Sequence, residues 1–77
     1  MTQNEFIQKF AEVVAVEPSL LTPECPMTDL AGWDSVAILS AMILIDSEVG
    51  LTIKPEVLGK APTFGDILSA VSAHLAP

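Results

Sequence analysis

Seventy-seven residues with ten acids against three bases, a formal charge of −7, leave nothing able to neutralise a nucleic-acid backbone. The lone cysteine, Cys25, excludes an internal disulfide framework, and the longest apolar run, Ala41 to Ile45, falls far short of the roughly 18–20 residues of a membrane span. The expectation is one small domain over residues 1–77, cytoplasmic and monomeric, whose thin core follows from its burying only roughly 60% of the unfolded surface.

Met1 to Glu5 is polar and lacks the basic-then-apolar pattern of a signal peptide. Thr2 and Glu5 have the spacing of a capping box, and Phe6, Ile7, Phe10, Val13 and Val14 then repeat at helical spacing. This predicts a first helix over about residues 3–16, stopped by Pro18. Residues 17–33 hold three prolines and Gly32, which is loop composition. Leu20, Leu21 and Leu30 suggest a loop pinned to the core, long enough to run back along the first helix so that the next helix starts at the same end.

Asp34 is a good N-cap, and its charge suits the positive end of a second helix running from Ser35 to about Glu48, closed by Gly50. Ile38, Ala41, Met42, Ile45 and Val49 form one stripe on that helix. Val36, Leu39, Ile43 and Leu44 fall outside the stripe, as further core or as a docking surface. An extended Leu51-Thr52-Ile53 leads to a short third helix from Pro55 to about Lys60, with Val57 and Leu58 inward. Thr63 and Asp66 then cap a last helix whose buried face is Phe64, Ile67, Leu68, Val71 and Leu75. Three longer helices and one short one predict an all-α fold, a small four-helix bundle. With three Phe, one Trp and no Tyr, its core is expected to be aliphatic.

No constellation for catalysis stands out. The only histidine, His74, lies three residues from the end of the sequence, and Cys25 has no neighbouring base or second thiol to activate it or to share a metal. The carboxylates are scattered singly, as solvated acids are. No catalytic residue and no metal ligand is therefore expected. Ser35 reads two ways from the residues alone. It is either ordinary helix-start chemistry or a hydroxyl displayed after a long loop, at a helix mouth that would favour an attached phosphate.

Asp34-Ser35-Val36 at the start of the second helix, preceded by Gly32 and followed by an apolar helix ending at Gly50, resembles the attachment site of acyl carrier proteins. The resemblance covers nearly the whole chain in helix order and length. Leu51-Thr52-Ile53 is similar to the family's segment after that helix, and Thr63 with Ile67 is similar to the start of its last helix. The resemblance implies a bundle of acyl-carrier type in which Ser35 receives a 4′-phosphopantetheine arm from coenzyme A, through a separate phosphopantetheinyl transferase and Mg²⁺. It also implies that Asp34 assists transferase recognition, and that the arm's thiol carries acyl, aryl or aminoacyl groups as thioesters. The partners would be acyl-loading and acyl-transfer or condensing enzymes of fatty-acid, polyketide or related biosynthesis. Ile53, Val57 and Leu58 would be among the residues lining a sheltered chain.

The sequence departs from fatty-acid carriers along the second helix, where Ala37 and Ser40 stand in place of acids and only Asp46 and Glu48 remain near its end. Docking is therefore expected through shape and apolar contact at Trp33, Val36, Leu39, Ser40 and Ile43, with Trp33 alternatively folded onto the core. This pattern resembles a dedicated carrier of a specialised pathway. Two other classes compete with the carrier reading. One is an unmodified interaction module acting through Val36, Leu39, Ile43 and Leu44. The other is a bundle seated on membranes, which the acidic charge disfavours.

Overall fold

The computed structural model describes residues 1–76. Helix α1 spans Gln3–Val14, and the predicted capping box opens it. The Glu5 amide donates to Thr2 Oγ1 at 3.2 Å, while the Thr2 amide donates back to Glu5 Oε1 at 3.0 Å. The helix stops at Val14, short of the expected residue 16 and well before Pro18. Ala15 turns left-handed at φ 57°, and the Val16 amide reaches back to the Ala11 carbonyl at 3.0 Å. That is a Schellman closure made without glycine, so the sequence carried no sign of it.

The connection to the second helix contains two 3₁₀ turns, Pro18–Leu20 and Met27–Asp29. Backbone bonds fasten it to the start of α4: Met27 N–H to the Pro62 carbonyl, Phe64 N–H to the Cys25 carbonyl and Gly65 N–H to the Pro23 carbonyl, all within 2.9–3.0 Å. Leu21, Met27 and Leu30 are buried, whereas Leu20 faces solvent, against expectation. The loop does not deliver the second helix to the beginning of α1. It arrives with Gly32 against Val14, at the helix's last turn, so the second helix starts beside the end of the first.

Helix α2 spans Ser35–Leu44 and continues into a single π-helical turn, Ile45–Val49, before Gly50 closes it at φ 80°. The expected helix to about Glu48 is therefore present, but its last turn is wider. The Gly50 amide bonds the Ile45 carbonyl at 3.0 Å. Ala37, Ala41 and Ile45 are its fully buried residues, while Ile38, Met42, Leu44 and Val49 are half-buried against the core. Helix α3 is one turn, Pro55–Gly59. Neighbouring residues on a helix point about 100° apart, so a helix this short presents only one of an adjacent pair inward. Leu58 is the one buried, and Val57 stands 60% exposed, a correction to the expectation that both face in. Helix α4 spans Phe64–Ser72, opened by the Thr63–Asp66 capping box, with Phe64, Ile67, Leu68 and Val71 buried and Leu75, beyond its end, half-buried.

The buried core is mostly aliphatic, as expected, but it has an aromatic centre that was not expected. All three phenylalanines are fully buried. Phe10 packs on Phe6 and Phe64 at ring-centroid distances of 5.9 and 5.1 Å, and on Trp33 at 5.4 Å, within the usual range for aromatic pairs. Few aromatics suffice because α1 and α4 bring the three phenylalanines to one place, where the loop adds Trp33.

Candidate functional site: the mouth of the second helix

The site is built by the loop and first turn around Ser35. Leu30 is buried, and the Trp33 amide returns to its carbonyl at 3.0 Å. The Asp34 amide bonds the Gly32 carbonyl at 3.1 Å, a bond spanning two residues and therefore a tight γ-type turn. Asp34 is extended, and its Oδ1 accepts the Ala37 amide at 2.8 Å while its carbonyl accepts the Ile38 amide at 2.9 Å. The first satisfies one of the N–H groups that a helix start leaves unpaired, and the second is the first regular bond of the helix. Ser35 is the first helical residue and is exposed, as is Asp34.

Trp33 lies half-buried with its ring on Phe10, and its buried Nε1 has no hydrogen-bond partner among the described residues. Beyond Ser35, Val36, Leu39 and Ile43 are exposed by 70%, 49% and 63%. Their spacing of three and four places them on one side of α2, with exposed Ser40 beside them. No charged side chain occurs from Ser35 to Ile45, and the acids nearest this stretch are Asp34 before it and Asp46 and Glu48 after it.

Of the residues expected to line a chain, Ile53 is half-buried and Leu58 buried, while Val57 faces out. Ile38 Cδ1 lies close to Gly59 across the α2–α3 contact, 3.3 Å from where a β-carbon on Gly59 would stand. A shallow hollow of about 350 Å³ lies elsewhere, between Gln3 of α1, Pro23 and the start of α4, and Ile53, Val57 and Leu58 are not among its walls. Two features escaped the sequence reading. Val57 adds exposed apolar surface on α3, and Gly32 touches α1, which only the assembled fold reveals.

Four helices around a small core, with an apolar second helix opening at an exposed serine, define a small all-α bundle of acyl-carrier type. No family model matches the chain. It is 31% identical over 80 residues to acyl carrier protein 2 of Ralstonia nicotianae, an alignment covering 99% of each chain. It is also 36% identical over 59 residues to the acyl carrier protein MbtL of Mycolicibacterium paratuberculosis, covering 77% of this chain and 66% of that protein. To the meromycolate extension acyl carrier protein of Mycobacterium tuberculosis it is 29% identical over 75 residues, covering 92% and 65% respectively. The chain belongs to the acyl carrier protein family, and its general function is that of an acyl carrier. Among the described residues no helix is long and apolar enough to cross a membrane.

Proposed function

We propose that Ser35 is the attachment point of a 4′-phosphopantetheine arm and that the chain is a dedicated carrier in a specialised acyl pathway. The observation carrying the first part is the exposure of Ser35 at the first turn of a helix whose cap is made by its own neighbour, Asp34. Its hydroxyl is open to a transferase, and a phosphodiester at that position would sit at the positive end of the α2 dipole. In the transfer, the Ser35 oxygen forms a bond to the phosphorus of coenzyme A that bears the pantetheine. The pyrophosphate linkage breaks, 3′,5′-ADP leaves and the hydroxyl proton is released. Once attached, the arm supplies a thiol for thioester linkage. Tethering a reactant in this way raises its effective concentration at each enzyme the carrier visits.

Asp34 serves transferase recognition in this reading. Val36, Leu39, Ser40 and Ile43, with Trp33 at the edge, form the face offered to partner enzymes. Ile53 and Leu58 remain candidates to line a sheltered chain, and Val57 belongs with the outward surface. The charge-free run of α2 supports partners with apolar sockets, as a dedicated pathway would provide. Incubation with coenzyme A and a promiscuous phosphopantetheinyl transferase is expected to raise the intact mass by one arm, and Ser35→Ala to abolish the gain. An unchanged wild-type mass would refute the reading and leave an unmodified interaction module, which predicts instead that Ser35→Ala keeps biological activity while Leu39→Asp loses it.

A further inference from the structure

We propose that Gly32 is a positioning residue for Ser35, holding the serine's loop flush against the end of α1 so that the hydroxyl is presented at one fixed place. This rests on Ser35 being the attachment point. The loop meets the bundle at three successive anchors: Leu30 buried in the core, the Gly32 backbone on Val14, and the Trp33 ring on Phe10.

The middle anchor is the tightest. A β-carbon on Gly32 would fall 2.3 Å from the Val14 carbonyl oxygen, 3.0 Å from its carbonyl carbon and 3.3 Å from its α-carbon. All three are backbone atoms, so no change of rotamer moves them away. Gly32 is not in the left-handed region, so its backbone conformation is open to any residue and glycine is needed there for room alone. Gly50 is the converse case, with φ 80° and nothing within 4 Å of its missing β-carbon.

Neither side of the contact can yield easily. The left-handed Ala15 and the Val16-to-Ala11 bond hold the end of α1, and Val14 is its last helical residue. On the loop side, the two-residue bond from Asp34 N–H to the Gly32 carbonyl passes any displacement straight to Asp34 and Ser35. Reaching ordinary van der Waals separation requires the loop to lift by on the order of 1 Å. Misplacement of a reacting group by that distance can cost up to about 10²-fold in rate.

The test compares arm transfer from coenzyme A to wild type, Gly32→Ala, Gly50→Ala and Trp33→Ala, with kcat and KM for the carrier measured separately. Gly50→Ala strains the far end of α2, about 22 Å from Ser35 by helix rise, and so reproduces a loss of stability without touching the loop. Partial unfolding removes competent carrier and raises apparent KM, whereas a misplaced hydroxyl lowers kcat. Gly32→Ala is expected to lower kcat by about tenfold or more with KM within about twofold of wild type, and Gly50→Ala to keep wild-type kcat. Trp33→Ala removes the neighbouring anchor without a clash, and its kcat is expected to fall too, so it decides the matter if Gly32→Ala does not fold. Wild-type kcat in Gly32→Ala, or in Trp33→Ala where the first variant does not fold, overturns the positioning role and leaves the attachment point standing. A wild type that accepts no arm overturns both.

Discussion

Asp34 caps α2 and is proposed to serve transferase recognition, and substitution can separate the two. Its Oδ1 caps α2 through the Ala37 amide, a bond that an asparagine side chain can also accept. Asp34→Asn is therefore expected to leave chemical denaturation nearly unchanged, whereas Asp34→Ala costs about 1 kcal/mol. If the carboxylate's charge is what a transferase reads, both variants lose modification efficiency, and wild-type transfer to the asparagine variant would remove that role. At the other capping box the charge has a consequence for pH. Bonds from the Thr2 backbone amide and the Thr2 hydroxyl hold the Glu5 carboxyl below its ordinary range, favouring the ionised form in the folded state. A lowered native value means that the contribution is complete above the ordinary glutamate range and fades as the pH falls through it toward the lowered value. Melting curves from neutral to acidic pH are expected to fall less steeply for Glu5→Gln, which keeps the cap acceptor but does not titrate at this position. Parallel curves would show that Glu5 has no part in acid sensitivity.

The elements divide by how local their causes are. Both capping boxes, the Asp34 cap and the left-handed Gly50 were legible because each is a dialogue between residues three or four apart or a single glycine at a helix end. The end of α1 was not legible, because an alanine adopts the left-handed turn that glycine usually signals. The choice between Val57 and Leu58 was not legible either, since one turn of helix offers no periodicity to read. Around Ser35, the serine and its cap were plain in the sequence, while the contact of Gly32 with Val14 depends on where the loop lands. On α2 the apolar spacing was visible, and the exposure of Val36, Leu39 and Ile43 assigns those residues to the outer surface. Leu39→Asp should then change stability by less than about 1 kcal/mol, as surface substitutions usually do. Transfer to a partner enzyme is expected to fall sharply. Raising salt from low to moderate ionic strength is expected to change the wild-type KM for that enzyme by less than about twofold. A steep salt dependence would mean that the flanking acids, and not this face, govern docking.

The molecule measures 28 × 25 × 18 Å, and its short dimension holds about two helix layers at the usual 8–10 Å spacing. So thin a body depends on its aromatic centre, which composition alone did not reveal because burial of every phenylalanine is a property of the assembled helices. Phe10 touches Phe6, Phe64 and Trp33, and Phe10→Ala is expected to cost about 3–5 kcal/mol in urea unfolding. For a domain of this size that is much of the total stability. A loss below about 1 kcal/mol would show that the neighbours close the gap. Trp33, the chain's only tryptophan, joins this centre to the loop two positions before Ser35. The molecule thus contains its own optical gauge, one fluorophore wedged between the interior and the proposed attachment point. Its emission should report charging and discharging in real time, without a dye or a tag.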